Sequence, residues 1–237
     1  MVRAAVARSV PERVTLSIIV PMLDEAAVLP ALLAHLAPWQ AGGCEVLLVD
    51  GGSADGSAAM ARAAGFTVVD AERGRARQMN AGAAVAHGEV LLFLHADTQL
   101  PAGAGQAVRA ALAEAGREWG RFDVLITGRS PMLGVVAALM NLRSRLTGIA
   151  TGDQAMFMRR EALDAVGGFP LQPLMEDIEL SRRLRRRSRP ACVRLRVATS
   201  GRRWEERGVW RTIVLMWRLR WAYWRGVPAE RLAEAYR

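Results

Sequence analysis

The sequence predicts an α/β fold with a mostly parallel central sheet and helices on both faces. From residue 15 onward, short runs rich in Val, Ile and Leu alternate with helical stretches, a pattern typical of parallel sheets. Right-handed crossovers bring every strand-to-helix loop to one edge of such a sheet. Acidic residues follow several of these runs, and open α/β sheets bind ligands at that edge. The pattern therefore predicts a ligand site as well as a fold.

The first half of the chain supplies the regular part of the predicted sheet. Its strands are short, continuous apolar runs, as expected for strands that are buried on both faces. Helical stretches separate these runs and act as crossovers. We predict strands at 15–20, 45–49, 66–70 and 89–94, and helices at about 26–37, 55–64, 75–86 and 102–115.

The alternation becomes less regular after residue 116. A strand is predicted at 121–127, a long apolar helix from Pro131 to Leu146, and a glycine-rich turn at 147–152. The tail is predicted to be a helix that is rich in tryptophan. The remaining predicted elements are a strand at 154–159 and helices at 160–166, 177–187 and 209–224.

A chain of 237 residues fits one large domain with enough core to fold by itself. We expect a flexible leader at 1–13, a main domain at 14–200 and an amphipathic helical appendage at 201–237. No internal repeat and no low-complexity linker interrupts this arrangement.

The chain is basic, with a formal net charge of +9 and 51% apolar residues. A strong positive charge often indicates binding to nucleic acid or acidic lipid. All the basic residues are arginine, however, and the densest run, 182–189, continues a predicted helix whose C-terminal end suits positive charge. No basic motif interleaved with aromatic residues occurs. We therefore expect no nucleic-acid partner.

The cysteines and the absence of targeting signals in the sequence indicate a reducing compartment. Cys44 and Cys192 lack CxxC spacing, so two buried thiols are expected rather than a disulfide or a metal site. The sequence contains neither the apolar segment of a signal peptide nor a run of about 18 uncharged apolar residues. We expect a cytoplasmic protein, and peripheral attachment to the inner face of the cell membrane stays open.

The second predicted strand ends in the run VDGGSADG at 49–56. Asp50 is expected at the sheet edge, the glycines allow close approach of the backbone to a ligand, and Ser53 or Asp55 can cap the next helix. A carboxylate at this place can bind ribose hydroxyls or the N–H of a base. The alternative is a plain turn with a capping aspartate.

The fourth predicted strand ends in FLHADT at 93–98. Asp97 is well placed for Mg²⁺, because such ions take oxygen ligands and often bridge carboxylates to phosphates. His95 is a second metal ligand, a partner of a ligand or a packed imidazole. We favour the supporting role, because a single histidine is more often structural.

Glu176 and Asp177 begin a predicted helix, where the helix dipole favours ionised carboxylates. One interpretation is an ordinary acidic first turn. The other is a general base that takes a proton from a hydroxyl nucleophile, a role worth roughly 10²–10⁴-fold in rate.

A weaker cluster follows the third predicted strand. Arg75 and the arginines on either side of it lie near a helix start, a position that suits phosphate. Asn80 on the same helix is explained equally well by packing. The polar clusters at 152–154 and 202–204 have no role that pattern alone assigns.

Together these motifs resemble family 2 of the glycosyltransferases, the GT-A fold enzymes that use nucleotide-diphosphate sugars. The resemblance runs from about Leu16 to Ser188. VPMLDE at 20–25 resembles the opening strand with its acidic pair, and VDGGSADG resembles the nucleotide-binding turn. FLHAD resembles the region of the metal-binding DxD motif, and Glu176-Asp177 resembles the ED pair that contains the catalytic base. Each motif is weak alone, but four in this order are specific.

The sequence departs from the family pattern at two positions. Leu23 replaces the usual asparagine before the acidic pair, and His95 replaces the first aspartate of DxD. The second aspartate usually makes the principal metal contact in this family, so activity is still implied. Arg203-Trp204 is similar to the end of the QxxRW motif of processive members, but the matching glutamine is missing, so polymer synthesis is not expected.

The resemblance implies a role for each motif. Acidic residues of the first two loops would hold the nucleoside, and Asp97 would hold Mg²⁺ or Mn²⁺ on the diphosphate, with His95 as a weaker metal ligand. Asp177, beside Glu176, would be the catalytic base. The full set expected to contact the nucleotide sugar is Pro21, Asp24, Glu25, Asp50, Ser53, Arg75, Asn80, Ala96, Asp97 and Asp153.

The implied reaction is inverting transfer of a sugar from a nucleotide-diphosphate donor, which the family resemblance suggests is a UDP-sugar. The acceptor would offer a hydroxyl or carboxyl group, and a lipid-like acceptor is possible. The combination of LHADT, GDQ and RRWEERG is similar to a small bacterial subgroup named for arsenosugar biosynthesis or carotenoid-acid glycosylation. A nucleotide-sugar-binding protein without transfer activity and a nucleotidyltransferase stay open. A dinucleotide dehydrogenase is disfavoured, because no GxGxxG follows the first strand.

The tail helix suggests a further partner. A helix with tryptophan on one side and arginine on another can lie at an anionic membrane surface, here through 208–224. Packing on the sheet or a homodimer seam is the alternative, and the apolar stretch at 131–142 can likewise line a lipid groove or belong to the core. The residues at helical spacing are Trp210, Ile213, Val214, Trp217, Trp221 and Trp224, with Arg211, Arg218 and Arg225 among them.

Overall fold

The computed structural model describes residues 15–236, so the leader predicted at 1–13 lies outside the described residues. Eight strands form one sheet in the order β3-β2-β1-β4-β7-β6-β8-β5. The strands are β1 (Leu16–Met22), β2 (Glu45–Asp50), β3 (Thr67–Asp70), β4 (Val90–Phe93), β5 (Thr98–Gln99), β6 (Trp119–Thr127), β7 (Phe157–Arg159) and β8 (Ala191–Ser200).

The predicted, mostly parallel sheet is confirmed. β1 pairs in parallel with β2 and β4, β2 with β3, and β6 with β8. β7 pairs antiparallel with both β4 and β6, and β5 pairs antiparallel with β8. Two antiparallel steps through β7 return β6 and β8 to the direction of β1. The C-terminal ends of β1 to β4, β6 and β8 and the N-terminal ends of β5 and β7 therefore share one edge, called here the carboxyl edge.

Helices cover both faces of the sheet, as predicted. Ile18 and Val20 of β1 join an apolar cluster with α1, α4 and α5, whereas Ile19 joins a second cluster with α3, α6 and α7. This split follows from the alternation of side chains along a strand. The helices are α1 (Leu29–Ala41), α2 (Ser57–Ala63), α3 (Arg75–Val85), α4 (Ala104–Ala113), α5 (Met132–Thr147), α6 (Arg160–Ala165), α7 (Glu176–Arg185), α8 (Arg202–Arg207), α9 (Val209–Trp224) and α10 (Ala229–Tyr236).

Four elements were not predicted: β5, β8, α8 and α10. β8 escaped because three successive residues at its centre, 194–196, are exposed, so the period-two alternation is interrupted. Its partner β6 has a register shift between Phe122 and Asp123 at the same place. The strand predicted at 154–159 begins only at Phe157, because residues 152–154 form a short 3-10 turn and Ala155 adopts a φ of 43°.

The capping predicted for the second helix was wrong in detail. The residue before α2 is Gly56, with a φ of 87°, and neither Ser53 nor Asp55 occupies that position. Asp55 acts from one position earlier, since its Oδ1 accepts the amide of Ser57 at 3.0 Å. Only glycine adopts this left-handed backbone without a steric cost.

A buried ion cluster fixes α5 against the sheet. Arg121 of β6 is fully buried and pairs with Asp123, which also binds Arg145 at 2.5 Å. Nε of Arg121 donates to Oγ of Ser144 at 3.0 Å, and Nη2 donates to the carbonyl of Asn141 at 3.1 Å. A buried guanidinium is tolerated only when it is paired in this way. The bonds set the position of α5 relative to the carboxyl edge.

The C-terminal helices pack partly on the main core and partly on each other. Leu219 of α9 and Leu232 of α10 form a small apolar cluster with Met175, which precedes α7. Ile213, predicted in the tryptophan stripe, instead packs against the main core. Cys44 and Cys192 are free but half-buried, which corrects the expectation that both are buried. Within residues 15–236, no helix has the length and apolar character needed to cross a bilayer.

Candidate active site at the carboxyl edge

The loops that follow β1 and β2 are joined by carboxylate hydrogen bonds. Asp50, buried at the end of β2, accepts the amides of Gly52 and Ser53 at 3.0 Å and the hydroxyl of Ser53 at 2.5 Å. Oγ of Ser53 accepts the amide of Asp24 at 2.9 Å, and Asp24 accepts the amide of Ala54 at 2.8 Å. A carboxylate has about four acceptor positions, so these bonds shape the loops and still leave acceptor capacity on both aspartates.

Asp24 also turns the chain toward the second loop. Its φ of 52° lies in the left-handed region, which aspartate tolerates better than most residues. The turn directs the amide of Glu25 to Oγ of Ser57 at 3.0 Å and the amide of Ala26 to Asp55 at 2.8 Å. The acidic residues predicted on these two loops therefore lie in one hydrogen-bonded unit.

Glu25 and Asp97 bring negative charge from the loops after β1 and β4 together. Burial, and then the charge of Asp97, raise the pKa of Glu25 above its ordinary value, while Arg202 and Arg203 oppose the rise. Asp97 is exposed, and its carbonyl accepts the amide of Ser200 at 3.2 Å. The pairing of β5 with β8 thus brings the start of α8 beside these carboxylates.

His95 faces the turn before β7. Its Nδ1 lies 3.1 Å from Oδ1 of Asp153, and its buried Nε2 has no hydrogen-bond partner in the described part of the chain. Burial opposes ionisation of Asp153, but the hydrogen bond to His95 and the charges of His95 and Arg75 hold the pKa of Asp153 below its ordinary value. The ring packs so closely on Gly152 that a Cβ there would lie 2.3 Å from Nε2.

Asp177 is held in a fixed orientation at the start of α7. Its Oδ2 accepts the amide of Gly152 at 2.8 Å, and its Oδ1 accepts the amide of Ile178 at 2.7 Å. Each oxygen keeps a lone pair for a further partner. The neighbouring Glu176 is only 3% exposed and accepts Nη1 of Arg75 at 3.3 Å. Burial, and then the charge of Asp177, raise the pKa of Glu176.

Several predicted site residues converge on one narrow cavity, which is lined by Arg75, His95, Glu176 and Asp177 together with Gly152 and Phe169. Others have structural partners instead. The side-chain amide of Asn80 donates to the carbonyl of Phe169 at 2.9 Å, and its oxygen accepts the backbone amide of Phe169 at 2.8 Å. The methyl group of Ala96 belongs to the apolar core, and Pro21 lies within β1, paired with Val49.

Few side chains at the site are placed to coordinate a metal ion. Among residues 15–236, no group of three or more His, Cys, Asp or Glu side chains is arranged to hold a metal ion. Asp97 and the nearby Glu25 offer carboxylate oxygens at the edge of the site. Magnesium-like ions are commonly bound through one or two carboxylates plus the phosphates of a substrate. The residues present therefore fit an ion that is shared with a diphosphate.

A larger cavity of about 480 Å³ next to Asp177 was not predicted from the sequence. It is lined by arginines from three helices, among them Arg143 of α5 and Arg220 of α9. Burial, and then repulsion by Arg220, lower the pKa of Arg143 to about 10. Burial also lowers the pKa of Arg220, although Asp177 and Asp153 oppose this. In a chain with 32 basic residues, all arginine, no pattern marks these two.

The sequence matches one protein family. Residues 17–167 match Glycosyl transferase family 2. A PGL/p-HBAD biosynthesis glycosyltransferase of Mycobacterium bovis is 42% identical over 91 residues, which cover 35% of this chain and 36% of that protein. The chain thus spans about a third of the length of the curated relative.

Solved structures with low sequence identity show the same fold. A mannosyltransferase from Pyrobaculum calidifontis, in complex with GDP-Man and Mn²⁺, is 22% identical with a TM-score of 0.62, covering 87% of this chain and 60% of that one. S. aureus TarS 1-349 in complex with UDP-GlcNAc is 18% identical with a TM-score of 0.61, covering 78% and 58%.

A third structure agrees with these two. Glucosyl-3-phosphoglycerate synthase from Mycobacterium tuberculosis, in complex with Mn²⁺, UDP and glucosyl-3-phosphoglycerate, is 19% identical with a TM-score of 0.56, covering 78% of this chain and 70% of that one. These likenesses show the GT-A fold that the motifs implied.

Proposed function

Because this chain belongs to glycosyl transferase family 2, we propose that it is an inverting, metal-dependent glycosyltransferase. It moves a sugar from a nucleotide-diphosphate donor to a hydroxyl or carboxyl acceptor. The observation that carries this proposal is the orientation of Asp177 by the amides of Gly152 and Ile178, beside the loops that hold the other acidic residues. The catalytic domain is assigned to 14–200 and the helical appendage to 201–237.

The donor site is assigned to the loops after β1 and β2. Asp24 and Asp50 keep free acceptor capacity in a hydrogen-bonded unit, which suits ribose hydroxyls and the N–H groups of a base. The structural relatives were solved with UDP-GlcNAc, with UDP and with GDP-Man. We take a UDP-sugar as the donor, and the nucleotide is the first property to measure.

Asp97 is the principal metal ligand in this proposal, with Glu25 beside it. Bound there, Mg²⁺ or Mn²⁺ would neutralise charge on the leaving diphosphate. His95 is a poorer candidate, because its Nδ1 faces Asp153 and its Nε2 is buried against Gly152. Its position supports the role of holding the Asp153 turn.

Asp177 is the general base. Its carboxylate accepts the proton of the acceptor hydroxyl, and the hydroxyl oxygen attacks the anomeric carbon on the side opposite the nucleoside diphosphate. The bond from the anomeric carbon to the diphosphate breaks, so the configuration at that carbon inverts. Glu176 is buried against Arg75 and supports the start of α7, which leaves Asp177 as the member of the pair that faces the acceptor.

The donor is tested by thermal unfolding of the full chain with UDP, GDP, CDP or dTDP, each with and without Mn²⁺. A ligand at 100 times its Kd stabilises a fold by about 2.7 kcal/mol. An increase in the unfolding temperature with one nucleotide, seen only with Mn²⁺, supports the proposal and identifies the nucleobase of the donor. Release of pyrophosphate instead of a nucleoside diphosphate would support a nucleotidyltransferase, and binding without turnover would support a binding protein.

We also propose that α9 attaches the protein to the inner face of an anionic membrane. Its exposed stripe contains tryptophans that are 61% to 76% exposed, and arginines stand next to this stripe on the helix surface. Tryptophan and arginine on adjoining faces suit an anionic lipid interface. The stripe consists of Trp210, Val214, Trp217, Trp221 and Trp224, and the arginines are Arg211, Arg218 and Arg225.

Co-sedimentation with vesicles tests this attachment. The double variant Trp217→Ala, Trp221→Ala should bind phosphatidylserine-containing vesicles more weakly than the wild type, and neutral vesicles should bind neither protein well. Gel filtration in parallel separates the alternative. A dimer that dissociates in the double variant, without any vesicle binding by the wild type, would assign the stripe to a homodimer seam.

A further inference from the structure

A groove rich in arginine lies directly beside the candidate base. It has a volume of about 480 Å³ and contains Ile178, the residue that follows Asp177. Because its walls come from α5, α7 and α9, part of the groove lies beyond the residues that match the family. We call it the arginine groove. Its lining consists of Arg143, Thr147, Ile149, Ile178, Arg182, Arg185, Arg220, Tyr223 and Trp224.

Two of the groove's arginines have partners within the protein. Arg182 lies 3.5 Å from Glu179, and Arg185 donates to the carbonyl of Thr147 at 2.6 Å. Both side chains are exposed. Their positive charge is therefore partly satisfied by protein groups and by water.

Arg143 and Arg220 lack such partners. The Nε and Nη2 atoms of Arg143 are buried and make no hydrogen bond to the described residues. Arg220 is half-buried and interacts electrostatically with Asp177 and Asp153, but its guanidinium forms neither a hydrogen bond nor an ion pair within residues 15–236. Arg121, the buried arginine of β6, is in contrast bound by Asp123, Ser144 and Asn141. A cation that is partly removed from water without a partner costs free energy, so an anion bound in the groove would stabilise both guanidiniums.

The two unpaired arginines line the same groove, and the charge of Arg220 acts on Arg143. Repulsion by Arg220 contributes to the lowered pKa of Arg143, which at about 10 still leaves the group charged near neutral pH. Asp177 and Asp153 compensate this charge only in part. A bound anion between the two guanidiniums would relieve the repulsion and supply the missing acceptors.

We propose that the arginine groove binds the anionic group of the acceptor substrate, with Arg143 and Arg220 as the binding residues. The assignment to the acceptor rests on the proposed function, because Ile178 places the groove next to the base Asp177. The anion is a phosphate or a carboxylate, and guanidinium groups bind either through paired hydrogen bonds.

The other walls indicate what the anion is attached to. Ile149, Tyr223 and Trp224 contribute apolar and aromatic surface to the groove. Arg143 on α5 follows Leu142 and lies beside an exposed apolar stripe, and Arg220 precedes the exposed Trp221 in the stripe of α9. The acceptor is therefore an anion with an apolar or aromatic body, either a soluble molecule or a lipid with an acidic headgroup.

The groove differs from the site assigned to the donor diphosphate. None of Asp24, Glu25, Asp50 and Asp97 lines it. The arginines that act electrostatically on Glu25 are those at 202 and 203 on α8, and neither belongs to the groove. An anion in the groove should consequently bind together with the nucleotide rather than in competition with it.

Calorimetric titration of the full chain with phenyl phosphate and with inorganic phosphate tests whether the groove binds the anion of a soluble molecule. Phenol serves as the neutral comparison. The variants are Arg143→Gln and Arg220→Gln. Arg186→Gln, exposed just after α7 and outside the groove, is the matched control for loss of one positive charge. We expect phenyl phosphate to bind the wild type and the control equally, and each groove variant at least about tenfold more weakly, as for loss of a charge-assisted hydrogen bond.

Binding of the same four proteins to phosphatidylcholine vesicles, with and without phosphatidic acid, tests whether the groove binds the acidic headgroup of a lipid. Binding to phosphatidic acid that depends on Arg220 but not on Arg186, without binding of phenyl phosphate, assigns the anion to a lipid headgroup. Binding of phenyl phosphate in solution assigns it to a soluble molecule. The proposal is overturned if neither probe distinguishes the groove variants from the control.

Binding of UDP with Mn²⁺ is measured on the same samples and separates the two proposals. Loss of phosphate binding in Arg220→Gln, with UDP binding intact, supports the acceptor site. Phosphate binding without any nucleotide binding would leave the anion site standing while the proposed function fails. Competition between phenyl phosphate and UDP would show that the groove belongs to the donor, and would overturn the assignment to the acceptor.

Discussion

The backbone amide of Gly152 donates a hydrogen bond of 2.8 Å to Oδ2 of Asp177, which joins the turn before β7 to the start of α7. The contact is possible because β7 runs antiparallel to β4 and β6. Its N-terminal end therefore lies at the carboxyl edge, where the parallel strands end. The same turn contacts His95, so the orientation of the candidate base depends on residues from three separate segments.

Gly152→Ala should disable the site while leaving the rest of the fold intact. A Cβ at this position would lie 2.3 Å from Nε2 of His95, so the turn or the ring must move. Displacing a catalytic group by about 1 Å can cost 10²-fold in rate. We expect a loss of transfer activity of that order, measured as release of nucleoside diphosphate from the donor. Overpacking should also lower the free energy of unfolding by about 1–3 kcal/mol.

Gly134→Ala is the matched control for this substitution. Gly134 lies in α5, and a Cβ there meets no atom within 4 Å. Alanine in a helix interior is favoured over glycine by roughly 0.5–1 kcal/mol. We expect this variant to be slightly more stable than the wild type and equally active. Equal activity of the two glycine variants would show that the turn does not position the base.

Asp97→Ala should remove the metal dependence of nucleotide binding. Its carboxylate is exposed in the turn between β4 and β5, where it can coordinate a metal ion, and its charge contributes to the raised pKa of the half-buried Glu25. We expect the variant to bind UDP with Mn²⁺ no better than without it. Asp70→Ala, also at the carboxyl edge but paired with Arg62, should keep the full effect of Mn²⁺. An unchanged Mn²⁺ effect in Asp97→Ala would place the ion elsewhere.

Glu176→Gln should change how stability depends on pH. Burial and the charge of Asp177 raise the pKa of Glu176, so the folded protein holds this proton more tightly than the unfolded chain. The group therefore lowers the free energy of unfolding as pH rises from its unfolded pKa, about 4.3, to its folded one. Below that range it is protonated in both states and has no such effect.

Glutamine does not titrate, so Glu176→Gln does not show this decrease in the free energy of unfolding. In urea titrations, we expect the free energy of unfolding of Glu176→Gln, relative to the wild type, to increase as pH rises from about 4 toward neutrality. A difference that stays constant over this range would mean that the environment of Glu176 does not favour its protonated form.

Arg143→Met should stabilise the protein in the absence of an anion. The residue is half-buried, and two of its guanidinium nitrogens are buried without a hydrogen-bond partner in the described part of the chain. Replacing it with an apolar side chain of similar length removes an uncompensated charge, a gain of about 1–3 kcal/mol. Thermal unfolding in phosphate-free buffer measures this directly. A clear decrease in stability would indicate that the guanidinium is satisfied in the folded state.

The sequence predicts most of the fold because the strands buried on both faces are also the most apolar runs. β1, β2 and β4 were found this way, and with them the positions of Asp50 and Asp97 at the carboxyl edge. The start of α7 was predicted within one residue, because Glu176 and Asp177 favour a helix N-terminus. The local sequence pattern was sufficient to predict the position of a site residue where that position depends on a single strand or helix.

The rest depends on relationships between elements. The proximity of His95 to Gly152 follows from the reversed direction of β7, which no local pattern reveals. Asn80 was assigned to the ligand from its position, but its amide has both ends on Phe169. The arginine groove needs α5, α7 and α9 to meet, and arginine is too frequent in this chain for any single one to be informative.

The most direct test of the account is the turnover of Asp177→Asn together with its nucleotide affinity. Asparagine has nearly the same shape and can still accept the amide of Gly152 or Ile178, but it cannot take a proton. We expect release of nucleoside diphosphate from the donor to fall by roughly 10²–10⁴-fold, while the Kd for UDP with Mn²⁺ stays unchanged. Retention of most of the turnover, with the same Kd, would contradict the assignment of Asp177 as the base.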